Sequence, residues 1–113
     1  PASELKRYED GEVILRRGSE DTDVLVMVMG EAVVKLDTIE LATINSDEMF
    51  GEMSLLTGEP RSADVIAEGT CLVQRVSGDD FRALLASRPS LAVDLAKTLA
   101  RRVAATNLKV TGG

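Results

Sequence analysis

Short apolar runs, each ended by a glycine or by polar residues, make up most of the chain as far as residue 76. They are residues 13–15, 24–29, 32–36, 39–44, 63–67 and 71–76. Turn-forming residues recur about every 8 to 12 positions, the spacing that all-β barrels and jelly rolls show. Residues 1–10 are polar and predict only an initial turn. The pattern therefore predicts a mainly β fold.

From Ser77 the apolar period becomes helical. Ser77 with Asp80 three positions later predicts a helix N-cap, and Pro89 ends this first helix. A second helix is predicted from Ser90, with apolar residues every four positions at Leu91, Leu95, Leu99 and Val103. Such a stripe faces a core in most helices, and the alternative is that its far end covers a ligand. The sequence thus predicts two C-terminal helices over about residues 78–110, packed against the β domain.

Between these two regions lies a segment with the residues expected of an anion site. Gly51 opens a short apolar helix beginning near Glu52, whose unpaired N–H groups would attract an anion. Gly58 and Pro60 turn the chain back, so that Arg61 can return to the same opening. A carboxylate accepts hydrogen bonds from sugar hydroxyls, so phosphate and sugar together indicate a nucleotide. The alternative is that Glu52 and Arg61 form a structural ion pair on a solvated face.

Two sequence blocks in this segment resemble the phosphate-binding cassette of the cyclic nucleotide-binding domain family. The blocks are Phe50-Gly51-Glu52-Met53-Ser54-Leu55-Leu56, and Pro60-Arg61-Ser62-Ala63 followed by Val65. The resemblance implies that Glu52 holds the ribose 2′-hydroxyl and that Arg61 pairs with the cyclic phosphate. It implies a ligand site formed by Gly51, Glu52, Met53, Ser54, Arg61, Ser62 and Ala63, with the N–H groups of residues 51–54 completing the phosphate cradle.

The resemblance extends over most of the β region, where Gly11, Gly18 and Gly30 stand at positions that similar domains use for turn glycines between strands. It implies an eight-stranded antiparallel jelly-roll barrel over about residues 11–76, within a single binding domain of residues 1–113. Ser19 stands where the family often has an aspartate, but the position is a turn and casts no doubt on function. In similar domains the last helix closes over the purine, which suggests Leu99 and Arg102 as lid residues.

The base preference that the resemblance implies depends on Ser62. At this position the family often has alanine in cyclic AMP sensors and threonine in cyclic GMP sensors. The serine hydroxyl can contact a guanine amine, yet it lacks the methyl group that restricts the threonine rotamers. We expect a purine 3′,5′-cyclic monophosphate as ligand, with cyclic AMP favoured over cyclic GMP.

Composition and charge limit the partners. The chain has 113 residues, of which 44% are hydrophobic, with two Phe and one Tyr, so an aliphatic core is expected. Net charge is −6: residues 1–80 hold 7 basic and 18 acidic side chains, and residues 81–113 hold 6 basic and 1 acidic. Without a basic surplus or rows of aromatic residues, contact with nucleic acid is not expected. The basic helices either dock on the acidic body, lean over an anionic ligand, or expose an ordinary solvated face.

The chemistry that is missing argues against an enzyme. There is no histidine and no P-loop, and Cys71 is the single cysteine, so neither a cupin-type metal site nor a thiolate site is expected and no cofactor is predicted. No apolar run approaches the roughly 20 residues of a membrane span. We expect a cytoplasmic module, free or part of a membrane protein. The resemblance implies that this module is regulatory, binds a cyclic nucleotide and repositions its C-terminal helices to signal to an attached output domain. The alternative is a barrel of the same family that has lost its ligand and serves in docking or oligomerisation; the presence of both Glu52 and Arg61 argues against it.

Overall fold

A computed structural model of the chain describes the backbone of residues 3–110 and the side chains of residues 3–102. The chain divides into two compact units, Pro1–Asp80 and Phe81–Gly113. Among the described residues no helix is both long and apolar enough to span a membrane.

The strands of the first unit form an antiparallel sheet. In chain order the elements are β1 (Ser3–Tyr8), β2 (Val13–Leu15), β3 (Val24–Leu36), β4 (Ile39–Ile44), β5 (Met49–Phe50), α1 (Glu52–Thr57) and β6 (Asp64–Val76). The sheet runs in the order β1-β6-β3-β4, while β2 pairs with β6 and β5 pairs with β3. The mainly β prediction is confirmed.

The predicted eight-stranded antiparallel jelly-roll barrel is not confirmed, because residues 3–110 form six strands. The runs that the sequence separates at Gly30 join in β3, and those separated at Gly69 join in β6. Gly30 has φ +100°, and a Cβ there would come 2.5 Å from the Thr70 carbonyl oxygen. The β3–β6 register shifts here, so the glycine marks an irregularity within a continuous long strand.

The initial turn predicted for residues 1–10 is wrong. Ser3–Tyr8 is a strand whose residues pair one to one with β6, from Ser3 opposite Val76 to Tyr8 opposite Cys71. The strand lies at the end of the sheet order and buries only Tyr8. Because its other side chains are exposed, its sequence lacks the alternation of apolar and polar residues that would predict a strand.

The core of the first unit is aliphatic, as the composition predicts. Leu25, Met27, Cys71 and Val73 are fully buried, and Tyr8 and Phe50 are the aromatic residues of the same cluster. Burial raises the pKa of the Cys71 thiol, although hydrogen bonds involving backbone groups of Glu68 and Glu31 act in the opposite direction. The cysteine therefore behaves as a small apolar core residue.

The two predicted C-terminal helices are confirmed as α2 (Gly78–Ser87) and α3 (Pro89–Val110). The Ser77 hydroxyl donates to Asp80 at 2.7 Å and accepts from the Asp80 N–H at 3.2 Å, as the predicted N-cap requires. Pro89 not only ends α2 but also begins α3, where its missing N–H is no loss. Of the predicted stripe, Leu95 is buried and Leu91 and Leu99 are half-buried. Val103 lies outside the described side chains.

Candidate functional site

Gly51 connects the sheet to the short helix α1. It follows β5 and precedes Glu52 with φ +82° and ψ 1°, a left-handed conformation that favours glycine. A Cβ at this position would lie 2.9 Å from Leu25 Cδ1 and 3.1 Å from Arg61 Nη1. Gly51 therefore provides both the turn and the space for the Arg61 side chain. With glycine at the N-cap, the first N–H groups of α1 receive no side-chain cap.

Arg61 is buried, with 5% of its surface exposed. Its Nη1 donates to the Gly51 carbonyl oxygen, and its Nη2 donates to the Asp23 carbonyl oxygen at 2.7 Å. Its backbone N–H donates to the Ser19 carbonyl at 2.9 Å, and its carbonyl accepts from the Gly18 N–H at 2.8 Å. These backbone hydrogen bonds hold Arg61 against the loop between β2 and β3. The guanidinium lies beside the start of α1, as predicted.

Asp21 is the partner of Arg61 that sequence analysis missed. Arg61 Nη2 donates to Asp21 Oδ1 at 2.5 Å and Nε donates to Oδ2 at 3.3 Å, a two-pronged contact with one carboxylate. The residues are 40 positions apart, and the only signal in the sequence is an acidic stretch, Glu20-Asp21-Thr22-Asp23, after a turn glycine. Nothing in that stretch indicates which carboxylate turns inward.

Ser19 and the charges around Asp21 keep this carboxylate ionised. Burial on its own would raise the pKa of Asp21, but hydrogen bonds from Arg61 and Ser19 and the charges of Arg61 and Arg75 outweigh it, so the pKa is lowered. The Ser19 hydroxyl donates to Asp21 Oδ2 at 2.9 Å. Ser19 is therefore more than a turn residue, since it helps to orient the partner of Arg61.

The helix α1 divides its side chains between an inner and an outer face. Glu52 is 1% exposed and Ser54 is 6% exposed, whereas Met53 is 52% exposed. Glu52 therefore does not stand on a solvated face, which removes the alternative of a surface ion pair with Arg61. The Met53 side chain points to solvent, so its predicted contribution to a ligand site rests on its backbone N–H.

The remaining predicted residues differ in their surroundings. Ser62 is exposed and Ala63 is buried, and both lie between Arg61 and the start of β6. Leu99 and Arg102 are half-buried residues of α3, in the second compact unit. The structure brings Gly51 and Arg61 together, with Glu52 beginning the helix next to them. The lid role of Leu99 and Arg102 stays a prediction.

Known proteins that resemble the chain include both curated relatives and solved structures. The chain is 29% identical over 99 residues to the patatin-like phospholipase domain-containing protein 7 of Rattus norvegicus, covering 82% of this chain and 7% of that protein. It is 37% identical over 98 residues to the cyclic nucleotide-gated potassium channel mll3241 of Mesorhizobium japonicum, covering 86% and 27%. The chain thus spans a small part of these relatives.

Two solved structures share the fold at similar identity. The catabolite activator protein of Thermus thermophilus has a TM-score of 0.83, with 29% identity over 96% of this chain and 53% of that one. The regulatory domain of Toxoplasma gondii PKA, crystallised with cAMP, has a TM-score of 0.73 and 29% identity over 86% of this chain and 40% of that one. The family model for the cyclic nucleotide-binding domain matches residues 5–88, which include Asp21, Gly51 and Arg61 but not Leu99 and Arg102. By this match the chain belongs to the cyclic nucleotide-binding domain family.

Proposed function

We propose that the chain binds a 3′,5′-cyclic purine monophosphate at the start of α1, with Arg61 as the phosphate ligand. The observation that carries this proposal is the burial of Arg61 against Gly51, next to a helix start without a side-chain cap. A guanidinium and the backbone N–H groups of a helix start together bind phosphate oxygens. Membership of the family and the likeness to a PKA regulatory domain crystallised with cAMP support the same ligand class.

The sugar is assigned to Glu52. Glu52 is the first residue of α1 and is 1% exposed, so a ribose hydroxyl that reaches its carboxylate would form a hydrogen bond sheltered from water. Gly51, Met53 and Ser54 contribute backbone N–H groups to the phosphate, and Ser62 and Ala63 flank the ligand after Arg61.

The ligand acts by moving an element. In this proposal residues 1–113 work as one binding domain, in which α3 closes over the base through Leu99 and Arg102. The ligand shifts the helices because it binds the closed arrangement more tightly than the open one. The chain is then a regulatory module without catalysis of its own and without contact with nucleic acid, and it signals to an attached output domain in the cytoplasm.

The ligand assignment is tested by calorimetric titration with cyclic AMP. Arg61→Ala should cost about 2 to 5 kcal/mol of binding free energy, roughly 30- to several-thousand-fold in Kd, because a buried charge-assisted contact is lost. Arg7→Ala is the matched control, since the Arg7 side chain is 66% exposed in a surface pair with Glu9. Equal affinities for the parent and Arg61→Ala would contradict the phosphate assignment. In the same titration a 2′-deoxy ligand should bind the parent more weakly, and equal binding would remove the role of Glu52. A parent that binds no cyclic nucleotide would favour the docking or oligomerisation domain instead.

The preference between adenine and guanine depends on Ser62 in this proposal. We favour cyclic AMP, with discrimination of about tenfold or less, because the single Ser62 hydroxyl contact is worth about 0.5 to 1.5 kcal/mol. Competition of both nucleotides against one fluorescent analogue measures it. A preference for cyclic GMP above about a hundredfold would contradict this assignment, and Ser62→Ala would then be expected to remove most of that preference.

A further inference from the structure

Arg75 is a second arginine that contacts the acidic loop holding Arg61. It lies on β6, and its side chain is 16% exposed. Its Nε donates to Asp23 Oδ2 at 3.0 Å, and its Nη2 lies 3.5 Å from Asp21 Oδ1. Arg61 Nη2 donates to that same Asp21 oxygen at 2.5 Å. The two guanidinium groups therefore meet on one carboxylate oxygen.

The Arg75 guanidinium is held from the core side as well. Its Nη1 donates to the Tyr8 hydroxyl at 2.9 Å and to the Ile14 carbonyl oxygen at 3.1 Å, and both of these residues are buried. These contacts leave little freedom for the side chain, because they fix the guanidinium between β1, β2 and the loop. Arg75 thus ties the acidic loop to the sheet at a fixed position.

The four charged side chains balance one another. Arg61 and Arg75 carry two positive charges, and Asp21 and Asp23 carry two negative charges, within one set of ion pairs. If Arg75 were absent, Arg61 would be the one positive charge of this cluster beside two carboxylates, and the cluster would have a net negative charge where the proposed phosphate binds. A negative charge disfavours a nearby anion, the more so in a partly buried site where the effective dielectric constant is low.

We propose that Arg75 is a positioning residue for nucleotide binding, which neutralises and fixes Asp21 and Asp23 so that the charge of Arg61 is available to the ligand phosphate. The inference rests on the proposed function, since it concerns the same site. It assigns no contact between Arg75 and the ligand, and its effect passes through the two aspartates.

The test is a set of charge variants of the full chain, titrated with cyclic AMP. Arg75→Met removes the charge but keeps a long unbranched side chain. It should weaken binding about tenfold, the order expected for the loss of one nearby charge in a partly buried site. Arg75→Lys keeps the charge and should lose less. The double variant Arg75→Met with Asp23→Asn restores neutrality and should recover most of the lost affinity.

A role in packing alone gives a different pattern. The double variant removes both ends of the Arg75–Asp23 contact, so it would bind no better than Arg75→Met, and that result would overturn the proposal. Asp23→Asn alone gives an independent check if Arg75→Met fails to fold. It keeps the Asp23 backbone carbonyl that Arg61 contacts and removes one negative charge, so binding should be at least as tight as in the parent. Weaker binding by Asp23→Asn would also overturn the proposal.

Failure of this inference is distinguishable from failure of the proposed function. If the parent does not bind cyclic AMP, or if Arg61→Ala binds equally well, the ligand assignment fails. If the parent binds and Arg61→Ala does not, but the Arg75 variants bind like the parent, then the ligand assignment stands and the role of Arg75 is refuted.

Discussion

Gly51 must be a glycine for two separate reasons, one in its backbone and one in its surroundings. Its φ of +82° is costly for other residues, by about 1 to 3 kcal/mol. A Cβ would in addition crowd Arg61 Nη1 and the Asp23 carbonyl oxygen, each at 3.1 Å. The second reason concerns function, because the crowded atoms are a nitrogen of the Arg61 guanidinium and the Asp23 carbonyl oxygen to which that guanidinium donates.

The two reasons separate when Gly51→Ala is compared with Gly58→Ala. Gly58 has nearly the same backbone angles, φ 74° and ψ 5°, but a Cβ there meets nothing within 4 Å. Gly58→Ala should lose about 1 to 3 kcal/mol of unfolding free energy, measured by denaturant titration, and Gly51→Ala should lose more because its Cβ is also crowded. Only Gly51→Ala should also bind cyclic AMP more weakly, by calorimetry. Parent-like affinity in a folded Gly51→Ala protein would show that Arg61 does not depend on this space.

Among the structural elements, those with strong local patterns were predictable from the sequence. The helix expected near Glu52 is present as α1, and the cap at Ser77 and the long second helix are also present. The exposed strand β1 was missed because its outward side chains follow no alternating pattern. Asp21 was missed because its pairing with Arg61 depends on the path of a loop, and loop geometry at a separation of 40 residues leaves no periodic trace in the sequence. The sequence predicts a turn at Gly30 where the structure has a continuous strand, because a glycine within a long strand and a glycine in a turn have the same local sequence.

The helix α3 is the element expected to respond to the ligand. If it closes over the base, amide hydrogen exchange in residues 90–110 should slow when cyclic AMP is added, because a closed helix opens less often. Arg61→Ala at the same ligand concentration is the control, and its exchange should not change. Exchange in the parent that stays the same at saturating ligand would mean that the stripe of α3 only faces a core.

Neighbouring arginines on α3 test the lid at the level of side chains. Arg102 is half-buried and Arg101 is exposed. Arg102→Ala should therefore weaken cyclic AMP binding while Arg101→Ala should not. Equal effects would indicate that the general positive charge of the helix acts, and not a specific contact.

At the scale of the whole molecule, the partly buried ion pairs of Arg61 and Arg75 connect segments that are distant in sequence. Asp21 and Asp23 precede β3, Arg61 precedes β6, and Arg75 lies near the end of β6. The stability of the fold should therefore depend on the ionisation of Asp21. Its pKa in the folded chain lies below the ordinary value of 3.8: burial acts to raise it, but the hydrogen bonds and charges of Arg61, Ser19 and Arg75 prevail. A lowered folded pKa means that the contribution of Asp21 is fully present above the unfolded pKa and is lost as the pH falls through the folded value.

Unfolding free energies measured at acid pH therefore identify the contribution of the Asp21 charge to stability. Asp21→Asn should be less stable than the parent at neutral pH, because Arg61 stays buried without its counter-charge. The difference in unfolding free energy between the two proteins should narrow as the pH falls below about 4, where the parent also loses the Asp21 charge. Denaturant titrations at a series of pH values, followed by circular dichroism, measure this difference. Asp37→Asn is the control, since Asp37 pairs with Arg17 at an exposed position and should change the stability little at any pH. A difference between Asp21→Asn and the parent that stays constant down to acid pH would mean that Asp21 stabilises the fold by packing and hydrogen-bond geometry, and that its charge is not what holds Arg61 in place.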